Sequence, residues 1–315
     1  MKACAQSSRS LAGILLGLTL CCPWTVRTRA QGAPQFQQTK LVALQEPVFL
    51  EVDIKSGQLQ ILYSRDGEVS LSVSMQSSSG VQAGGNSFPL FEQNGNHITL
   101  RMLGDNHGPK SKTPLYRLDV PYRTEVVSHV GAGTQEISGI MGPVRAVTES
   151  GNTRVAYVSQ DVTAASDNGS LDFDVIGGRI QARVRRGNIS CTRAALGIAA
   201  ESERGDITLV AVGPSAAKVI RGPGRIEVSG ARSTFTGSTD AGDIHVRAVA
   251  HDNWQISSRS GNIRIELPSN SSFLLDASTV AGEIVVDRED LESEAVSAAS
   301  KRIDLHSETG QVAVH

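Results

Sequence analysis

Aromatic residues make up only 4% of this 315-residue chain. Sugar-cleaving enzymes stack their substrates on aromatic rings, so the shortage counts against that class. Cysteine is nearly absent where it would matter. Of four cysteines, Cys4, Cys21 and Cys22 fall in the first 22 residues, leaving Cys191 alone. One cysteine builds neither an intrachain disulfide framework nor a cysteine metal site. An excess of basic charge is also missing. Residues 1–30 hold four basic side chains and no acidic one, so the remainder carries 26 basic against 32 acidic, a net charge of −6. That balance argues against nucleic acid as a partner. Helical periodicity is almost absent, which leaves short strands and turns.

The apolar run Leu11–Cys22 is 12 residues long, too short to span a bilayer. With Lys2 and Arg9 before it and Thr28-Arg29-Ala30 after it, residues 1–30 read as an export signal. An uncleaved N-terminal anchor and a lipoprotein box at Leu18-Thr19-Leu20-Cys21 are the alternatives, the latter weakened by the bulk of Leu20. Export places the mature chain in the periplasm, at the cell surface or outside the cell. No C-terminal barrel or sorting signal is expected to anchor it.

What the chain has in quantity is glycine, 31 residues, and much of it is periodic. Gly133, Gly151, Gly169, Gly187, Gly205, Gly224, Gly242, Gly261, Gly282 and Gly310 follow one another at steps of 18, 18, 18, 18, 19, 18, 19, 21 and 28 residues. Each opens a unit like Gly205-Asp206-Ile207-Thr208-Leu209 or Gly261-Asn262-Ile263-Arg264-Ile265. A fixed period in this range marks a solenoid. With the glycine as position zero, +2 and +4 hold Leu171/Phe173, Ile189/Cys191, Ile207/Leu209, Ile226/Val228, Ile244/Val246, Ile284/Val286 and Val312/Val314. Alternation on a strand turns both inward. Positions −7 and −5 form a second inward pair: Val144/Ala146, Ile180/Ala182, Ala217/Val219, Trp254/Ile256, Leu275/Ala277 and Ile303/Leu305 among them. Position −3 is hydroxylated at Thr148, Ser166, Ser202, Thr239, Ser258, Thr279 and Ser307, with Val184 and Arg221 as exceptions. These hydroxyls are placed to form a ladder beside the turn. The glycines supply φ > 0 there, and the Asn or Asp at +1 bonds nearby backbone.

A single coil cannot bury its apolar face, but coils stacked at about 4.8 Å build one continuous core. Ten of them extend about 45–50 Å. The prediction is an all-β protein, a right-handed parallel β-helix with coils of about 18 residues and an irregular N-terminal β cap. A β-sandwich of hairpins is the alternative, but hairpins do not require an 18-residue period.

Residues 31–47 are Gln-rich and read as a disordered lead-in. Residues 48–130 form the cap, within which Lys55 to Ile61 already has the repeat form. A hairpin over Phe91 to Met102 turns at Asn94-Gly95. Residues 131–315 are the repeats, interrupted by the insertion 287–301, which reads as a short helix that folds over the C-terminal end of the stack. An uncovered end would be an aggregation template.

The run Tyr116-Arg117-Leu118-Asp119-Val120-Pro121, then Gly131 to Gly133, Ile137 to Val144, and the Ser-Gly-Asn and Arg-Gly-Asp-Ile turns resemble the bacterial "putative adhesin" proteins. The likeness covers about 48 to 315. It implies a β-strand-repeat, β-helical fold, an exported protein and a domain of unknown function. It transfers no catalytic residue.

Arg179, Arg183, Arg185, Arg186, Arg193 and Arg204 are concentrated in two adjacent coils. They are a candidate patch for an anionic glycan, lipopolysaccharide or an acidic protein. The competing explanation is a salt ladder, since Glu201 and Glu203 fall one coil on from Arg183 and Arg185. Asp167, Asp172 and Asp174 are a candidate acidic site for a hard cation or a glycosidic bond, set against the charge expected at outward positions. Arg204-Gly205-Asp206 reads as the repeat consensus and not as a recognition tripeptide. His129 and His306 share position −4 but lie many coils apart, and Cys191 is a core thiol. No nucleophile elbow is present. The expected function is therefore a non-catalytic, exported surface or envelope protein without cofactor or metal, whose faces bind or scaffold a surface glycan or protein. A β-helix polysaccharide lyase or hydrolase and an end-to-end assembly module are the alternatives.

Overall fold

The computed structural model describes residues 37–41, 46–65, 68–75, 90–101, 113–268, 273–287 and 301–315. The leader 1–30 and residues 288–300 of the insertion lie outside the described residues. No described helix is long and apolar enough to cross a membrane.

From Thr124–Ser138 onward every described ladder is parallel, and equivalent residues of the regular coils pair 18 apart, as in Val162↔Ile180 and Leu171↔Ile189. Each coil contributes one strand to each of two faces. The first face stacks Val144–Ser150, Val162–Asn168, Ile180–Arg186 and Ile198–Arg204. The second stacks Thr153–Val158, Leu171–Ile176, Ile189–Ala194 and Ile207–Val210. Inward residues of both faces meet in one core that runs from Val48 to Val314. The chain is a parallel β-helix.

The glycine corner works by close approach. A Cβ on Gly151 would lie 1.6 Å from the carbonyl oxygen of Gly133, one coil away. Gly151 also has φ 134°, as the turn requires. From Gly224 on, the corner glycines leave the left-handed range, so positive φ is not the common requirement. Proximity is: a Cβ on Gly242 would meet the Gly224 oxygen at 2.0 Å. Those inward carbonyls need donors. Several hydroxyls at −3 supply them: Ser202 donates to the Gly187 oxygen at 3.3 Å, Ser258 to Gly242 at 3.2 Å and Ser307 to Gly261 at 3.2 Å, whereas Thr148 bonds Thr153 at 2.8 Å and Ser166 has no partner among the described residues. At +1 the side-chain oxygens of Asn152, Asn188, Asp206 and Asp243 accept from the backbone N–H of the next coil at 2.8–3.0 Å. A second corner, at +6, is left-handed: Gly139, Tyr157, Val175, Arg193, Ala211 and Gly230 follow one another with φ of 53–78°.

Four expectations need correction. In the 19-residue step before Gly224, Ser215/Ala217 pair with Ile198/Ala200, and Val219 pairs with Ser202. The inward pair is Ser215/Ala217, not Ala217/Val219, and Val219 replaces Arg221 at −3. The extra length is absorbed at Pro223, where no strand pairing constrains it. The hairpin pairs Asn94 with His97, so its two turn residues are Gly95 and Asn96, with Gly95 at φ 61°. The lead-in contains a strand, Gln37–Leu41, antiparallel to Val69–Val73, because the edge of that strand offers free backbone groups. The repeats also begin before residue 131. Val48–Tyr63 is a full coil, paired in parallel with Thr124–Ser138.

Both ends are interleaved. On its other side the coil Val48–Tyr63 is covered by His97–Arg101 and Pro114–Val120, which come later in the chain. At the opposite end, Arg302–Ser307 and Val312–Val314 lie between the coil 254–266 and the coil 274–286. The last coil in sequence is therefore the last but one in space. Among the described residues the outermost coil at this end is 274–286, and the strand Val312–Val314 is enclosed.

Candidate functional site

Outward positions recur at one-coil spacing, so side chains far apart in sequence form rows. On the first face, a shallow groove of about 410 Å³ is lined by His129, Glu149, Asp167, Arg183, Arg185 and Glu201. Most of its charges are paired, and Glu203, which also lines it, has no ion pair among the described residues. Arg183 reaches Glu201 at 3.8 Å, Arg185 reaches Asp167 at 3.4 Å, and His129 lies 3.0 Å from Asp53 and 3.5 Å from Glu149. The Arg183–Glu201 rung follows the salt ladder expected from sequence. Arg185 pairs backward with Asp167 and not forward with Glu203.

On the second face, a groove of about 370 Å³ is lined by Gln60, Glu136, Asn152, Arg154, Ser170 and Asp172. Gln60 donates to Glu136 at 3.2 Å, and Arg154 lies 3.3 Å from Asp172. Farther round, Arg193 donates to Asp174 at 2.6 Å. That bond and the Asp174 charge push the guanidinium above its ordinary range. Asp167 belongs to one face and Asp172 and Asp174 to the other, and each is tied to an arginine. Among the described residues no group of three or more His, Cys, Asp or Glu side chains is placed to hold a metal ion. Near the C-terminal end Glu266 meets His245 at 3.2 Å and Arg264 at 3.0 Å. Burial pushes this carboxyl up, but the close approach of His245 and the charges of Arg264 and Arg247 outweigh it, leaving Glu266 below the usual carboxylate range. Beneath the second face Cys191 is enclosed, and burial, aided by Asp172 and Asp174, pushes its thiol up to about 12. It is a neutral packing residue.

The glycine corner differs from both faces. Arg186 pairs in register with Arg204. Arg221 follows one coil on, its backbone N–H bonded to the Glu203 oxygen at 3.0 Å. Three exposed arginines therefore stand on three successive coils at one corner. Among the described residues none of the three forms an ion pair, and neither does Arg179 or Arg225. The structure thus divides the six arginines read from sequence. Arg183 and Arg185 lie on the first face, Arg193 at the +6 corner within a second-face strand, Arg179 on the connecting loop, and Arg186 and Arg204 at the glycine corner. Arg221 was missed as their neighbour because constant counting from Gly224 put it at the inward position −3. The signal available was Pro223, which breaks the strand between them.

A family model described as Toastrack DUF4097 matches residues 49–315. No curated relative matches the sequence. Similar solved structures include a "putative adhesin" from Bacteroides fragilis, 12% identical over 89% of this chain and 97% of that one, with a TM-score of 0.37. A "putative adhesin" from Parabacteroides distasonis is 11% identical over 90% and 98%, with a TM-score of 0.34. A "putative cell adhesion protein" from Clostridium sporogenes is 8% identical over 89% and 98%, with a TM-score of 0.24.

Proposed function

This chain belongs to the Toastrack DUF4097 family, and from its geometry we propose an exported, non-catalytic surface protein that binds or scaffolds an elongated partner. The observation that carries this reading is the outward surface itself. Polar side chains repeat along the coils, and at the glycine corner Asn152, Ser170, Asn188, Asp206, Asp243 and Asn262 are fixed by coil-to-coil bonds such as Asn188 Oδ1 accepting from Asp206 N–H at 2.9 Å. A surface built this way is pre-organised, so a long partner laid along it meets repeated groups without an ordering cost at each one. The export half of the reading rests on the leader pattern in residues 1–30.

Fractionation of the producing cells tests it, with mass spectrometry of the N-terminus. Recovery from the envelope or medium with a chain beginning near Gln31 is the expected result. Retention in the cytoplasm with residues 1–30 intact would overturn it. Polysaccharide retained by the purified chain should be recovered at unchanged length. Shortening would restore the lyase or hydrolase reading.

A further inference from the structure

We propose that the glycine corner at Arg186, Arg204 and Arg221 is a binding site for an acidic polysaccharide, its carboxylates spaced along the axis of the coils. This rests on the surface-binding reading above and names the chemistry of the partner.

Three observations point the same way. The backbone places the arginines in line, one per coil: Gly187 N–H donates to the Arg204 oxygen at 3.0 Å, and Gly169 N–H to the Arg186 oxygen at 2.9 Å. Among the described residues they carry no acidic partner, whereas Arg154, Arg193, Arg247, Arg259 and Arg264 do; Arg145, Arg179, Arg225 and Arg232 are unpaired as well, and what sets the corner apart is that its three stand on successive coils. Like charges directly opposite each other on neighbouring strands destabilise a sheet. A stacked, unneutralised triple is therefore an expense that an anion would relieve. The coil spacing, about 4.8 Å, is of the same order as one sugar unit of a linear polymer. A uronate chain lying along the corner can offer one carboxylate to each guanidinium, and guanidinium recognises carboxylate through paired N–H donors. Acid groups flank the row, with Glu203 and Asp206 beside Arg204 and Glu227 two residues beyond Arg225. They disfavour a polymer with more than one anion per coil, such as a nucleic acid with a phosphate about every 3.4 Å of each strand, and leave a uronate chain with one carboxylate per coil as the better fit.

The test uses the purified full chain and four probes: sodium polygalacturonate, neutral dextran, inorganic polyphosphate and oligo-dT. Polygalacturonate should bind, with an affinity that falls as ionic strength rises. The variant with Arg186→Ser, Arg204→Ser and Arg221→Ser should bind it about tenfold more weakly or worse. Arg183→Ser with Arg185→Ser, which removes the paired arginines, should bind as the parent does. A single reversal, Arg204→Glu, separates folding from binding. It gives Arg186 and Arg221 a partner, so its melting temperature should rise while its affinity for polygalacturonate drops. The proposal is overturned if the triple variant binds like the parent, if the paired-arginine variant loses as much, if polyphosphate or oligo-dT is preferred, or if no polymer binds. Dextran binding that the triple variant leaves intact would overturn this assignment and leave the surface-binding reading standing. The fractionation result bears on that reading alone.

Discussion

Ile207 and Ile284 occupy the same place in the repeat, two residues after the corner glycine. Ile207 is 0% exposed in the middle of the stack and Ile284 is 41% exposed in the coil 274–286. The two coils obey the same pattern and differ in what lies on either side. Burial in a solenoid is therefore contributed by the neighbouring coil and not by the coil's own sequence. The substitution with the largest expected effect breaks the comparison at this point. Ile207→Asp should lower stability by about 4–5 kcal/mol or prevent folding, since it buries a charge with no partner. Ile284→Asp should cost about 1 kcal/mol or less, and Thr208→Asp, facing outward beside Ile207, should be tolerated. Denaturant midpoints measure all three, and equal losses at Ile207 and Thr208 would mean that the inward register is wrong.

A second test sharpens the comparison at the end of the chain. If coils stacked in sequence order, Val312 would be among the most exposed residues and Val286 would be covered. The observed order is reversed: Val312 is 0% exposed and Val286 is 40% exposed. Val312→Asp should then cost about 3–5 kcal/mol although it lies three residues from the last, and Val286→Asp about 1 kcal/mol or less. Hydrogen exchange should also find 302–314 better protected than 274–286. The interleaving has a physical purpose at both ends. Chain termini fray unless they are tied down. Here the first and last coils in sequence are each covered by another segment: Pro114–Val120, Val69–Met75 and Gln37–Leu41 add on in turn beyond the first, and the coil 274–286, with covalent continuation on both sides, lies beyond the last.

The regular middle was legible because its period is enforced on several positions at once. Gly151 cannot accept a Cβ against Gly133, Ser202 must satisfy the Gly187 carbonyl, and Ile207 must fill the core, so each position repeats its class. The ends were not legible, since nothing in Arg302–Val314 distinguishes a coil that follows 286 from one that slips in behind it; the same residues suit either place. The left-handed corner at +6 left traces only at Gly139 and Gly230, because Tyr157, Val175, Arg193 and Ala211 adopt the same φ without being glycine. The arginine corner was half legible. Arg186 and Arg204 were in the right row, but Arg221 joined them only once the bulge at Pro223 was visible. The pairing that sets Arg183, Arg185 and Arg193 apart depends on side-chain reach across coils, which spacing alone does not fix.

Cys191 allows the middle and the end to be compared by titration. Its folded thiol is pushed up to about 12, while an unfolded-chain thiol ionises near pH 8.5. A raised folded value contributes stability that is complete below the unfolded pKa and is lost as pH rises towards the folded one. Between about pH 8.5 and 12 the parent should lose up to about 1.4 kcal/mol per pH unit relative to Cys191→Val. A cysteine placed by Val286→Cys, at the same repeat position on the exposed coil, should show no such slope, and it should react with a thiol reagent under native conditions while Cys191 does not.

The smallest expected effect concerns the +6 corner, where regular coils hold non-glycine residues in a left-handed conformation. Val175 is the most costly of them, because its β-branched side chain is held at φ 56°. A left-handed L-residue costs about 1–2 kcal/mol, and Asn tolerates the region better than Val. Val175→Asn should therefore raise stability by about 1 kcal/mol. Val175→Gly should gain less, since glycine loses more freedom on folding. Gly139 and Gly230 already occupy this position in other coils, so Gly139→Val should cost at least as much as Val175→Asn gains; its Cβ would also meet the Tyr63 Cβ at 2.8 Å. If Val175→Asn leaves the denaturation midpoint unchanged, the strands on either side impose the corner without strain at that residue, and the glycines at 139 and 230 are there for space and not for φ.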